Sequence, residues 1–206
     1  PGLVYATFLG GSEYDEGTGI AIDGAGQAYV SGWTISANFP AVMGPGYDTS
    51  QNGSRDVFVV KLDAAGTGLR YATFLGGIHD DWSEGIAVDS GGQAYVPGYT
   101  ASPDFPAAFG PGYDTTYNGG ALDGFVVKLD ATGTQLRYAT FLGGSESDAC
   151  ISIAVDSAGN AYVIGGTAST EASFPVLNGP DLSYNTGFDA FVAKIGPSTA
   201  DLAITK

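Results

Sequence analysis

The heptapeptide Tyr-Ala-Thr-Phe-Leu-Gly-Gly begins at Tyr5, again at Tyr71 and again at Tyr138, at spacings of 66 and 67 residues. Self-similarity at a fixed period means that one structural unit is stacked on copies of itself. The period is too long for most solenoids. It suits a propeller blade carrying one long loop, because four short strands and their connections take roughly 40 to 50 residues. Composition agrees: 33 glycines and 10 prolines are too many for a helical chain. They alternate with runs of Val, Ile, Tyr, Phe and Thr, as short strands between tight turns require. The predicted class is all-β, and 44% hydrophobic content in 206 residues supplies a core.

Each copy reads as four strands, over 19–23, 27–34, 56–63 and 69–76 in the first, with the last strand shared with the opening of the next copy. Asp23-Gly24-Ala25-Gly26 joins the first two strands, and Asp89-Ser90-Gly91-Gly92 and Asp156-Ser157-Ala158-Gly159 repeat it. Asp accepts backbone N–H bonds in such turns and Gly takes φ > 0, so these are hairpins and the strands form an antiparallel meander. Val57, Phe58, Val59, Val60 and Leu62 are apolar on both faces, as in blades stacked face to face. About twenty residues separate the second and third strands. Phe39, Phe105 and Phe174, each followed by Pro, recur there as expected anchors of that loop.

The three repeats run over about 3–76, 77–143 and 144–196, leaving 200–206 as a linker or the start of a following domain. The third copy ends after Lys194 with no Tyr-Ala-Thr-Phe-Leu strand of its own, while a surplus one stands at 3–9. Propellers hold about four to eight blades. The chain is therefore expected to be an arc completed by other parts, with the strand of Leu3, Tyr5, Thr7 and Leu9 crossing to a neighbour. Leu202 and Ile204 alternate as a second candidate edge strand. A closed six-bladed dimer and an open filament both satisfy this.

Tyr-Ala-Thr-Phe-Leu-Gly-Gly, followed by Gly-Ile-Ala-Val-Asp-Ser-Gly-Gly-Gln-Ala-Tyr-Val from Gly85, then Phe105-Pro106 and Asp123-Gly-Phe-Val-Val-Lys128, resembles the bacterial and archaeal β-propeller repeat called SBBP. The resemblance implies four-stranded blades in large secreted or cell-surface proteins, with no established catalytic residues to carry over. The closing Ala-Asp-Leu-Ala-Ile-Thr-Lys is similar to the first strand of adhesin-type surface repeat domains.

Seven Lys plus Arg against 22 Asp plus Glu give a net charge of −15, which repels nucleic acid and anionic membranes. The long uncharged stretch 24–47 is broken by Gly and Pro, so no membrane insertion is expected. Acidic residues recur in register at Asp15, Asp81 and Asp148 and at Asp48, Asp114 and Asp181. They are candidate Ca²⁺ ligands, although each equally suits capping of its own turn, the simpler reading. Pairs such as Asp15 with Glu16 have the chemistry for glycoside hydrolysis, but recurrence in every copy singles out none. His79 is the only histidine and Cys150 the only cysteine, which excludes a histidine-rich metal centre or an internal disulfide framework. Lys61, Lys128 and Lys194 recur on the third strand, and Asn52-Gly53-Ser54 fits an N-glycosylation acceptor. The expectation is a non-enzymatic extracellular structural or adhesive module, with itself, a surface glycan or a protein as partner. The alternative is a lectin or glycoside-active enzyme with an acidic loop face.

Overall fold

The computed structural model describes residues 2–106 and 111–196. Its first sheet is a meander in the order β1 (Asp15–Ile22), β2 (Ala28–Thr34), β3 (Asp56–Leu62) and β4 (Leu69–Leu75). The second holds β5 (Asp81–Ser83), β6 (Ala87–Val88), β7 (Ala94–Thr100), β8 (Asp123–Leu129) and β9 (Leu136–Phe141), with β5 and β6 both paired to β7. The third has β10 (Asp148–Val155), β11 (Ala161–Thr167) and β12 (Asp189–Ile195). All these pairings are antiparallel. A 3₁₀ turn, Pro40–Met43, follows Phe39.

The turns form for the reasons their residues suggest. The Asp23 carboxylate accepts the N–H groups of Ala25 (2.9 Å) and Gln27 (3.0 Å), and Gly26 takes φ +77°. Asp89 and Asp156 repeat the arrangement. The second and third Tyr-Ala-Thr-Phe-Leu segments form β4 and β9, the last strands of the first and second sheets. A sequence repeat therefore straddles two sheets.

One expectation needs correction. The first strand begins at Asp15 rather than 19, because a bulge between Gly17 and Gly19 lets the chain shift register and stay paired to β2. The matching irregularity splits the strand into β5 and β6 in the second sheet. Gly98 shows what the bulge demands. A Cβ there would lie 2.0 Å from the Trp82 carbonyl oxygen and 2.6 Å from the Phe125 ring. Gly98→Ala is expected to cost about 1 to 3 kcal/mol through overpacking, measured by chemical denaturation; a change within about 0.5 kcal/mol, as at an ordinary surface site, would contradict it. The third sheet has three strands among the described residues, in keeping with a third copy that carries no Tyr-Ala-Thr-Phe-Leu segment after Lys194.

The sheets stack face to face. One core cluster joins Tyr29, Val57, Val59, Tyr71 and Leu75 of the first to Ile86, Val96, Phe105, Phe125 and Phe141 of the second. Another joins Tyr95, Val126 and Tyr138 to Cys150, Val163 and Phe191 across the second and third. Tyr71 lies on Gly133, where a Cβ would come 2.4 Å from the ring. Inside each of the first two sheets the long loop returns an aromatic anchor: Phe39 stacks on Phe58 at 4.4 Å and Phe105 on Phe125 at 4.2 Å. Downstream, the same loops run along the free edge of the fourth strand. The carbonyls of Pro45 and Asp48 accept the N–H groups of Ala72 and Phe74, and those of Pro111 and Asp114 accept those of Ala139 and Phe141.

Candidate functional sites

The recurrent carboxylates lie at the loop end of the sheets, where β1, β5 and β10 begin and the long loops leave. Asp81 accepts the Gly77 N–H at 2.8 Å, the Ser102 hydroxyl at 3.1 Å and the Thr100 hydroxyl. Asp148 accepts Gly144 N–H at 2.6 Å and Ser169 at 2.9 Å, and Asp15 accepts Gly11 N–H at 2.8 Å. Asp81 and Asp148 thus tie the Gly-Gly after β4 and β9 to the sheet that follows, and Asp15 holds Gly11 in the same way. Asp48 and Asp114 accept a backbone N–H two residues on, from Ser50 (2.8 Å) and Thr116 (2.9 Å), and hold the amides of Asn52 and Asn118. Asp181 accepts both the N–H (3.0 Å) and the hydroxyl (2.7 Å) of Ser183. Among the described residues no three His, Cys, Asp or Glu side chains gather as metal ligands. Since these carboxylates already hold backbone and hydroxyl donors, removing divalent cations with EDTA is expected to leave the melting temperature unchanged. A fall of several degrees would place a cation on this face.

A second tier of aspartates is buried beside the first. Asp56 opens β3 and accepts the N–H of Asn52 at 2.8 Å, and its carboxyl lies against Gly76, where a Cβ would meet it at 2.5 Å. Burial, then the nearby Asp48 and Asp104 charges, push its pKa up to about 6. Burial and Asp56 raise Asp81 to about 7. Across the next junction burial, with Asp148 and Asp114, raises Asp123 to about 7. One carboxylate from each sheet thus meets its neighbour at the Gly-Gly.

The sequence reading missed a stack formed between the first two sheets. The Arg55 guanidinium sits over the Trp33 ring at 4.3 Å and the Trp82 ring at 4.9 Å. Tyr14 stacks on Trp33 at 5.1 Å and Tyr99 lies over Trp82 at 5.0 Å. Arg55 also pairs with Asp80 at 3.4 Å, and its carbonyl accepts the Asp81 N–H. The third sheet has Ala149 and Gly166 where the second has Trp82 and Tyr99. The stack is the clearest departure from the repeat. A signal was available in Trp82, which stands in register with Glu16 and Ala149, and in the aromatic pair Trp33 and Tyr99, where the third copy has Gly166.

The remaining candidates are dispersed. His79 is exposed, and its backbone N–H donates to Ser102 at 3.0 Å. Cys150 is fully buried against Gly124, and burial raises its thiol pKa, so it stays protonated. Lys61 and Lys128 pair with Asp23 (3.7 Å) and Asp89 (3.4 Å) over the rings of Tyr29 and Tyr95. Lys194 lies over Tyr162. Leu3, Tyr5 and Thr7 are exposed and Leu9 packs partly on the first sheet's core; Leu202 and Ile204 fall outside the described residues. The third sheet carries an apolar groove of about 1080 Å³ between β12 and the 175–185 loop, lined by Phe174, Leu177, Leu182, Phe191 and Ala193.

The family model of the SBBP beta-propeller repeat matches residues 4–40 and 137–171. The second match begins in β9 and ends just past β11, crossing the sheet boundary as the heptapeptide spacing does. No curated protein matches the sequence.

Proposed function

We propose that this chain, two of whose segments match the SBBP repeat, is a non-enzymatic structural module of an extracellular or cell-surface protein. Its work is to hold stacked sheets in a fixed series. What carries the reading is the use of the recurrent loop-face side chains. Asp15, Asp81 and Asp148 bind the neighbouring Gly-Gly, Asp48, Asp114 and Asp181 close their own turns, and Lys61 and Lys128 are paired. A net charge of −15 and a lone buried cysteine suit an exposed, soluble surface. Assayed on a glycan array and with chromogenic glycosides, the intact chain is expected to show neither binding nor turnover; saturable binding or hydrolysis would overturn the reading.

One observation favours a lectin as the second reading. The stack of Tyr14, Trp33, Arg55, Trp82 and Tyr99 belongs to two sheets of three, and aromatic rings beside charged groups suit sugars. Its inner ring faces are taken by Arg55, however, which leaves edges and the outer tyrosines for a ligand. Trp82→Ala separates the two readings. It would abolish glycan binding in a lectin, whereas in a structural module it only loosens the junction of the first two sheets.

A further inference from the structure

We propose that Asp123 of the second sheet and Asp148 of the third share one proton, and that this O–H···O bond is a pH-sensitive latch between the two sheets. The proposal goes beyond the structural reading and holds whatever the surface of the chain binds. It starts from two carboxyls with too few donors. Asp123 is 0% exposed and Asp148 1%. Asp123 Oδ2 accepts the Asn118 N–H at 2.5 Å, and Asp148 Oδ2 accepts the Gly144 N–H at 2.6 Å and the Ser169 hydroxyl at 2.9 Å. The other oxygen of each carboxyl, Oδ1, is buried with no hydrogen-bond partner. The two groups converge on Gly143, where the position of a Cβ would be 2.7 Å from Asp123 Oδ1 and 3.0 Å from Asp148 Oδ2.

The first junction is built differently. Asp56 takes the N–H groups of Asn52 at 2.8 Å and Gly53 at 3.2 Å, one on each oxygen. Asp81 takes the Thr100 hydroxyl on one oxygen, and the Gly77 N–H and Ser102 hydroxyl on the other. Two departures from the repeat remove such donors from the second pair. Asp123 follows Asp114 by nine positions where Asp56 follows Asp48 by eight, and the longer loop passes through Gly119 and Gly120 at φ +120° and +67°. Thr167 pairs with Asp148 in register as Thr100 does with Asp81, but it donates to the Ser169 carbonyl at 3.4 Å instead of to its aspartate.

Two buried carboxylates on one point cannot both stay ionised without a counter-charge. Among the described residues no Lys, Arg or His makes an ion pair with either. The titratable groups around them are Asp114 and Glu146 of the adjoining loops, Asp189 of β12 beside Thr167, and the Cys150 thiol of β10 against Gly124. None of these is a cation. One proton cancels one charge and supplies the missing donor. Asp148, with two donors on Oδ2, is the better anion; Asp123, with one, is the acid, and its Oδ1–H donates to Asp148 Oδ1. Burial, with the Asp148 and Asp114 charges, raises the Asp123 pKa to about 7, in agreement. A raised carboxyl contributes fully below its unfolded value and loses that contribution as pH climbs through the folded one, so the latch is shut in mild acid and opens above about pH 7. The bond from the Asp148 N–H to the Leu122 carbonyl, 2.9 Å, crosses the junction beside the pair and loosens with it.

Carbon-13 labelling of the aspartate carboxyls in the intact chain reads the proton directly. At pH 5.5 the Asp123 and Asp148 carbons are both expected to shift when light water is replaced by heavy water, and between pH 6 and 8 both should move in one coupled step. An ionised Asp123 at pH 5.5, or an isotope shift at Asp123 alone, would overturn the proposal. So would a midpoint that moves with sodium or calcium at constant ionic strength, since a cation would then stand between the carboxylates. Thr167→Val should leave the step in place; a displaced step would make Thr167 the donor to Asp148 and end the case for sharing. Asp123→Asn offers an N–H in place of the O–H and keeps an acceptor for Asn118. Corrected for intrinsic exchange, protection of the Asp148 amide is expected to fall about tenfold between pH 6 and 8 in the wild type and to stay level in this variant. An equal fall in both would refute the latch, and should the variant not fold, the wild-type carboxyl titration decides alone.

Discussion

Replacing Phe105 by Ala is expected to lower unfolding stability by about 3 to 5 kcal/mol. Phe105 has no exposed surface and stacks on Phe125 with Phe141 beside it, in a cluster that continues into the first sheet. Truncation removes the ring's transfer energy and leaves a cavity walled by strands that cannot collapse, because their backbones are fixed by the ladder. It also frees the 101–122 loop from its anchor, and with it the Pro111 and Asp114 carbonyls that hold β9. Urea denaturation of wild type and variant measures the effect; a cost below about 1 kcal/mol would mark the ring as dispensable to folding.

Stability is also expected to rise on acidification from pH 8 to pH 5, against the usual behaviour of an acidic protein held by ionised carboxylates. Asp56, Asp81 and Asp123 have folded-state values raised to about 6, 7 and 7, mainly by burial. A raised carboxyl binds its proton more tightly folded than unfolded, so its contribution is complete below about pH 4 and is lost as pH climbs through 6 to 7. Asp23, Asp63, Asp130, Asp156 and Asp181 are shifted the other way, Asp63 and Asp156 by hydrogen bonds within their turns. Their contribution disappears only when pH falls through their depressed values, so the gain reverses below about pH 4. Melting curves at pH 8, 6.5 and 5, all in EDTA, check this: a melting temperature equal or lower at pH 5 would contradict it. Asp81→Asn keeps an acceptor for Thr100 but removes the charge, and should flatten the profile.

The strands of this fold were legible because each signal is local. An Asp followed by Gly three residues later makes its own hairpin turn, and the period of the heptapeptide counts the sheets. The early start of β1 was not legible, since it depends on Gly32 letting the Glu16 carbonyl come within a distance that any Cβ would forbid, as Gly98 does for Trp82 of β5. The grip of the long loop on β4 and β9 uses main-chain carbonyls of Pro45, Asp48, Pro111 and Asp114, and backbone acceptors leave no residue signature. The Arg55 stack needs partners from two sheets, and no short window holds Tyr14, Trp33, Arg55, Trp82 and Tyr99 together. The acidic positions were found, but their division into turn closers and sheet ties is a matter of which N–H each one faces.

The offset between repeat and sheet bears on how the chain is made. While the polypeptide emerges from its N-terminus, a sheet built from one repeat stays open until the following repeat has delivered its Tyr-Ala-Thr-Phe-Leu strand, so folding trails synthesis by one strand throughout. Phe58 and Val60, and later Phe125 and Val127, wait with one edge uncovered for that interval. A repeat inserted or lost as a whole by recombination takes the last strand of one sheet together with the first three of the next, so the neighbouring sheets keep a complete set of strands. Lineages can therefore lengthen or shorten such a chain without redesigning the sheets that remain.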